Sequence, residues 1–429
     1  MVHVSSTPNR ELLRQVRVLD PTTQTDRIAD VLIVDGRIHS VAAQITEVPS
    51  QTQLRECSGL ILGPGLIDLY SHSGEPGFEV RETLSSLRQA AAAGGFTRLA
   101  ILPDTAPAVD HPGSLELLRS RFAALQQAPV QLYCWGALTL GAQGQQMAEL
   151  QEMVAAGVVG FSDGAPLQNW ALVRRLLEYL HPVNLPIALW PCNLELAGNG
   201  VMREGSASLR FGLAGNPAIA ETTALVALLE VVATTGTPVH IMRVSTARSV
   251  ELIQLAKARG LPITASTSWM HLLLNDEAVG CYDPNLRLEP PLGNQQDQHA
   301  LIQAVQAGVL DAIAIDHSPH TYEDKTVAFA EAPPGVIGLE LALALLWQTF
   351  VKTEVWTALD LWGALSTRPA LCLQQQPARI APSQTAELTL FDPQQRWVVE
   401  PQALKTLSRN TPWLGKQLVG RVVQTWCSQ

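Results

Sequence analysis

The first sixty residues alternate apolar and polar positions in short β-branched runs. VRVLD, DVLIVDG and RIHSVAA, separated by turn residues at Pro21 and at Asp35-Gly36, predict three short strands. From about Gly65 the pattern becomes apolar run, loop, amphipathic helix, and then repeats. FTRLAIL, VQLYCWGAL, VVGFS, PIALWPC, PVHIMRV, PITAST and AIAID are the apolar runs, each followed by a loop or helix. SLELLRSRFAALQQ and MAELQEMVAAG read as helices between them. ARSVELIQLAKARG has clear helical spacing, with Gly260 as its stop. After residue 380 strands return, in AELTLFD and QLVGRVVQTWC.

Strands that alternate with helices imply βαβ units and a parallel sheet. About eight such units over roughly 310 residues predict an α/β fold closed into a (β/α)8 TIM barrel, rather than a doubly wound sheet. Strands at both ends predict a small β-sandwich-like domain assembled from the two termini. Its expected parts are residues 1–62 and 380–429, with the barrel spanning 63–379.

Composition narrows this picture. Of 429 residues, 47% are hydrophobic and 16% charged, which suits a large buried core and excludes intrinsic disorder. The formal net charge of −10 argues against nucleic acid as a partner. No apolar window approaches 18 residues and the opening twenty residues carry charges throughout, so a cytoplasmic protein without a membrane partner is expected. Cys57, Cys134, Cys192, Cys281, Cys372 and Cys427 are scattered without a C-x-x-C pair. They read as buried thiols rather than a disulfide framework or a structural zinc site.

A barrel of this type carries its active site at the C-terminal ends of the strands. The residues that follow the apolar runs are therefore the candidates. They are Tyr70, His72 and Gly74, then Asp104, Asp163, Trp190 and Arg243, and finally Asp316, His317 and His320.

GPGLIDLYSHSGEPG, GGFT, VMREGSASLRFGLAGNPAIAE, VSTARSVELI, LDAIAIDHSPH, FAEAPPGVIGLE and LSRNTPWLGKQLVGRVV resemble bacterial dihydroorotase of the amidohydrolase superfamily. The resemblance runs from about residue 12 to about residue 423. It implies a hydrolase of pyrimidine biosynthesis in which a zinc pair lowers the pKa of a bridging water and polarises an amide carbonyl, while an Asp shuttles the proton. On the family's pattern Asp316 is the proton-shuttling residue, and His72, Asp163 and Asp316 are what remains of the metal ligands. His320, Asp104 and Gly74 take the substrate-binding positions.

The chain departs from that pattern at the ligands. In D-x-H-x-H the first His is Tyr70, and the two single His of later strands are Trp190 and Arg243. FSDGAPL, which holds Asp163, is one residue shorter than the family's FSDDGxP. Gly74 replaces an Arg that grips the substrate carboxylate, Asp104 replaces the Asn of P-N-T, and N-P-P-L-R reads Glu289 to Gly293. A guanidinium is always protonated and has no lone pair to give a metal. The charge of Arg243 is expected to occupy the vacated volume and to pair with Asp316 or Asp163.

The resulting expectation is a dihydroorotase-like protein that has lost catalysis, binds no cofactor and acts as a structural or regulatory partner. Inactive homologues in the family associate with aspartate transcarbamoylase, which makes that enzyme the candidate; a homo-oligomer is also expected. Two alternatives stay open. One is a working cyclic-amide hydrolase, converting N-carbamoyl-L-aspartate to dihydroorotate, with zinc on His72, Asp163 and Asp316. The other is a binding module for a planar, non-anionic or cationic small molecule, using Trp190, Asp104 and Glu289. His240 and His271 read as packing residues, and His3, His39, His111, His181 and His299 as surface or loop residues.

Overall fold

The structure, a computed structural model, describes residues 10–125 and 130–427. The first nine residues of the expected β domain, His3 among them, lie outside the described residues. So do Gln126 and Gln127 at the end of one expected helix.

Strand β1 (Arg10–Asp20) pairs antiparallel with β2 (Thr25–Val34), which pairs antiparallel with β3 (Arg37–Ala42). β4 (Gln53–Glu56) and β5 (Ile61–Pro64) both run parallel to β1. Leu13, Val16 and Val18 of β1 pack with Val31, Leu62 and Leu388 in one apolar cluster.

Eight parallel strands follow, one for each repeat seen in the sequence. β6 (Leu66–Ser71), β7 (Phe96–Ile101), β8 (Gln131–Gly136) and β9 (Gly160–Phe161) form the first half of the barrel. After β10 (Ala188–Leu189), β11 (Met202–Arg203) and β12 (Gly215–Asn216) make a short parallel pair outside it. β13 (Val239–Ile241), β14 (Ile263–Ser268) and β15 (Ala312–Ala314) complete the second half with β10. The halves join where Phe161 pairs with Ile187. They close where the His72 amide donates to the His317 carbonyl at 2.8 Å.

Alternation along β15 explains the double burial. Ile313 and Ile315 belong to the core shared with the helices, while Ala312 and Ala314 belong to the barrel interior. Small residues there (Ala100, Ala188, Ala312 and Ala314) leave room for Tyr70, Trp135 and Trp190.

The chain then returns to the first sheet. β16 (Leu388–Val398) pairs antiparallel with β5 and with β17 (Gln417–Trp426), so both ends of the chain build one seven-stranded sheet. Between these two strands the chain crosses the site loops. The buried Glu82 and half-buried Glu340 carboxylates accept amide hydrogens from Lys405, Thr406 and Leu407. Asn410 accepts from the His320 amide and donates to the carbonyls of Ser318 and Gly335. Among the described residues no helix is long and apolar enough to cross a membrane.

Candidate functional site

The site begins with a tie between two strands. The Asp68 carboxylate of β6 accepts the Ile315 amide at 2.7 Å and the Ser71 hydroxyl at 2.5 Å. This brings the residues just beyond β6 and β15, His72 and Asp316, side by side. Arg243 reaches the same place from the end of β13. Its Nε and Nη2 donate to Asp316 at 2.7 and 2.8 Å, a bidentate ion pair, and Nη1 donates to the Gly164 carbonyl at 3.2 Å. The guanidinium lies 4.7 Å from the Trp190 ring centre and 5.9 Å from that of Tyr70. Its side chain is 7% exposed.

His72 extends the ion pair. Nδ1 donates to Asp104 at 2.5 Å, and Nε2 lies 3.5 Å from Asp316 and 3.2 Å from Arg243 Nη2. Burial opposes a charge on this ring, but Asp104 and Asp316 outweigh it and push the pKa up to about 9. Burial would likewise raise the carboxyl of Asp316, yet Arg243 and His72 hold it well below the usual carboxylate range. Burial also works against the Asp104 carboxylate, which His72 and Arg243 nonetheless keep low. At neutral pH the side chains form a row of alternating charge: Asp104, His72, Asp316, Arg243. Protonated at neutral pH, His72 offers no lone pair, and Asp316, held low by Arg243 and His72, is a weak base.

Behind Arg243 runs a hydrogen-bonded line through the barrel interior. The Tyr70 hydroxyl accepts from the Arg243 amide at 3.2 Å and bonds Ser266 at 2.9 Å. Ser266 bonds His240 Nε2 at 2.8 Å, and His240 Nδ1 bonds Thr264 at 2.9 Å. Burial lowers the His240 pKa to about 3 and raises that of Tyr70, so both rings are neutral. The proton arrangement that leaves the phenol O–H paired runs from Tyr70 to Ser266 to His240 to Thr264. His240 is packed in the interior as expected, with both ring nitrogens hydrogen-bonded. The signal lay in the polar, inward-facing positions 240, 264 and 266 of β13 and β14.

Asp163 does not join the site. Its carboxylate accepts the Leu138 amide at 2.7 Å, the Thr139 amide at 3.1 Å and the Thr139 hydroxyl at 2.5 Å. These donors, in the loop after β8, satisfy the buried carboxylate where it stands. Arg243 meets only the neighbouring Gly164 carbonyl, so of its two expected partners it takes Asp316 alone.

Gly74 marks a place where no side chain fits. A Cβ there would stand 2.4 Å from the Glu82 carbonyl oxygen and 2.6 Å from that of Phe78, because the loop closes on itself. His320 is held by the loop opposite. Its Nε2–H donates to the Pro334 carbonyl at 2.9 Å, and burial lowers its pKa to about 4. Gly335 lies beside it at φ +132°, where a Cβ would strike Ser318.

A zinc pair, which the fold's chemistry implies, does not fit these residues. His72 and Asp316 are committed to Asp104 and Arg243, and the Tyr70 hydroxyl to Ser266 and the Arg243 amide. A guanidinium would repel the ion. Among the described residues no three His, Cys, Asp or Glu side chains are grouped to hold a metal.

The architecture is that of an amidohydrolase-type barrel with its candidate site at the C-terminal strand ends. It matches L-hydantoinase (dihydropyrimidinase) from Arthrobacter aurescens with a TM-score of 0.83 at 19% identity, over 97% of this chain and 96% of that one. A family model described as dihydro-orotase-like matches residues 59–249. A probable dihydroorotase-like protein from Synechocystis sp. is 45% identical over 95% of this chain and 98% of its own length. A dihydroorotase from Syntrophus aciditrophicus is 37% identical over 96% of this chain and 97% of its own length. The chain belongs to the dihydroorotase family, as a divergent, dihydroorotase-like amidohydrolase.

Proposed function

We propose that this dihydroorotase-like protein does not hydrolyse cyclic amides and acts instead as a structural or regulatory partner of another protein. What supports the reading is the seat of Arg243, whose guanidinium grips Asp316 beside His72, where the family's chemistry calls for metal. The two cations beside Asp316 hold its pKa low, which makes it a poor carrier for a proton. The loss of the carboxylate-gripping Arg at Gly74 points the same way. Aspartate transcarbamoylase is the candidate partner, because inactive members of the family associate with it.

The test is an assay on the full chain purified with zinc present, following the interconversion of N-carbamoyl-L-aspartate and dihydroorotate alongside metal content. We expect no turnover. Turnover together with stoichiometric zinc would overturn the reading in favour of a working hydrolase, which the 37% identity to a protein named dihydroorotase supports. Co-purification with aspartate transcarbamoylase tests the partnership directly.

A further inference from the structure

Only half of the site has been filled. Arg243, Tyr70 and Trp190 occupy the volume at the strand ends. Above them a cavity of about 290 Å³ remains open, with Asp104, His72, Asp316 and Arg243 as its floor. That is close to the lower end of the range, roughly 300 Å³, seen for small-molecule pockets.

On the floor and inner wall of this cavity the free valences are mostly acceptors. His72 and Arg243 carry positive charge, but most of their N–H groups are directed to Asp104, Asp316 and Gly164. Asp104 accepts from His72 through Oδ2 alone, and its side chain is 38% exposed at the floor. Glu289 gives Oε1 to Arg287 at 2.9 Å and is 43% exposed on the wall. His320 lines the same cavity as a neutral ring, buried to more than nine-tenths, and its Nδ1 makes no hydrogen bond, lying 3.7 Å from Asp324. Since its Nε2 carries the proton donated to Pro334, Nδ1 is an acceptor. Both nitrogens of His271 are engaged, by Ser268 and by the Pro290 carbonyl. The cation at the rim, Arg81, sends Nε to Asp324 at 3.1 Å and keeps its Nη groups as donors there. Between these groups the wall is apolar, with Phe78, Met270 and Val336. Acceptors are left over on the floor and wall, and Gly74 supplies no side chain to grip a carboxylate.

We propose that this cavity binds a small organic cation, an ammonium or amidinium group on a compact apolar body. The charged end would meet Asp104 and Glu289, and the body the apolar wall. The inference rests on the reading of the site as non-hydrolytic, but its test reads binding rather than turnover, so each can fail alone.

Calorimetric titration of the full chain with benzamidinium chloride, and separately with sodium benzoate of the same shape, tests it. Saturable benzamidinium binding is expected, with benzoate at least about tenfold weaker. Asp104→Asn should weaken benzamidinium by about tenfold, and Glu289→Gln, at an exposed position, by about threefold. Glu289→Gln keeps the test decisive if Asp104→Asn fails to fold. Absent benzamidinium binding, benzoate binding of equal strength, or affinity unchanged in the folded variants would each overturn the proposal.

Discussion

Arg243 and Asp316 meet with both backbones in the left-handed region, at φ +55° and +51°. A residue with a Cβ in that region is held at a cost of about 1–2 kcal/mol. Two such residues facing each other through a bidentate ion pair place the constraint at the centre of the site. The pair is anchored on both sides, by Tyr70 under the Arg243 amide and by His72 against Asp316.

Removing the guanidinium leaves Asp316 buried beside one cation instead of two. Arg243→Ala should lose about 3–5 kcal/mol of stability, read by urea unfolding. Arg243→Lys keeps the charge but not the fork, and should recover only part of the loss. A neutral effect of Arg243→Ala would show that the pair contributes nothing to the fold.

The His72 charge makes a pH prediction with a definite sign. Its pKa rises from 6.5 to about 9 on folding, so the stabilisation is complete below 6.5 and is lost as pH rises through about 9. The thermal midpoint should therefore fall across that window, and His72→Gln should flatten the fall. A wild-type profile as flat as that of the variant would contradict the charge assigned to His72.

Tyr70→Phe removes one hydroxyl and leaves two groups without it, the Arg243 amide and Ser266. The expected loss is about 1–3 kcal/mol in denaturant unfolding, with no change in bound metal. Zinc retained by the wild type and lost from the variant would instead make Tyr70 a ligand.

Restoring the family's histidines together, as Tyr70→His, Trp190→His and Arg243→His, frees His72 and Asp316 and should bring measurable zinc binding by elemental analysis. Turnover of dihydroorotate should still be absent, because Gly74 admits no side chain and Asp104 repels a carboxylate. Metal and turnover returning together would refute the argument from Gly74.

The barrel was legible because each of its eight strands is an apolar run, and the substitutions at Tyr70, Trp190 and Arg243 were legible because each ends one of those runs. Asp163 was not, since its direction depends on donors some twenty-five residues earlier in the chain. Nor was the closure at Gly74, which depends on how residues 74–82 fold back, nor the clasp of Glu82 on Thr406 and Leu407, which are distant in sequence. His240 is the packed residue that the apolar run around it suggested, but its partners Thr264 and Ser266 on β14 could not be read from that run.

The crowding at Gly74 gives this lineage a ratchet. With the loop closed against that glycine, an Arg placed there would meet two carbonyl oxygens before it met any substrate. Reversion would then demand that the loop be rebuilt first, at a stage when nothing rewards the rebuilding. A Gly74→Arg change alone therefore strains the loop before it adds any contact to the cleft.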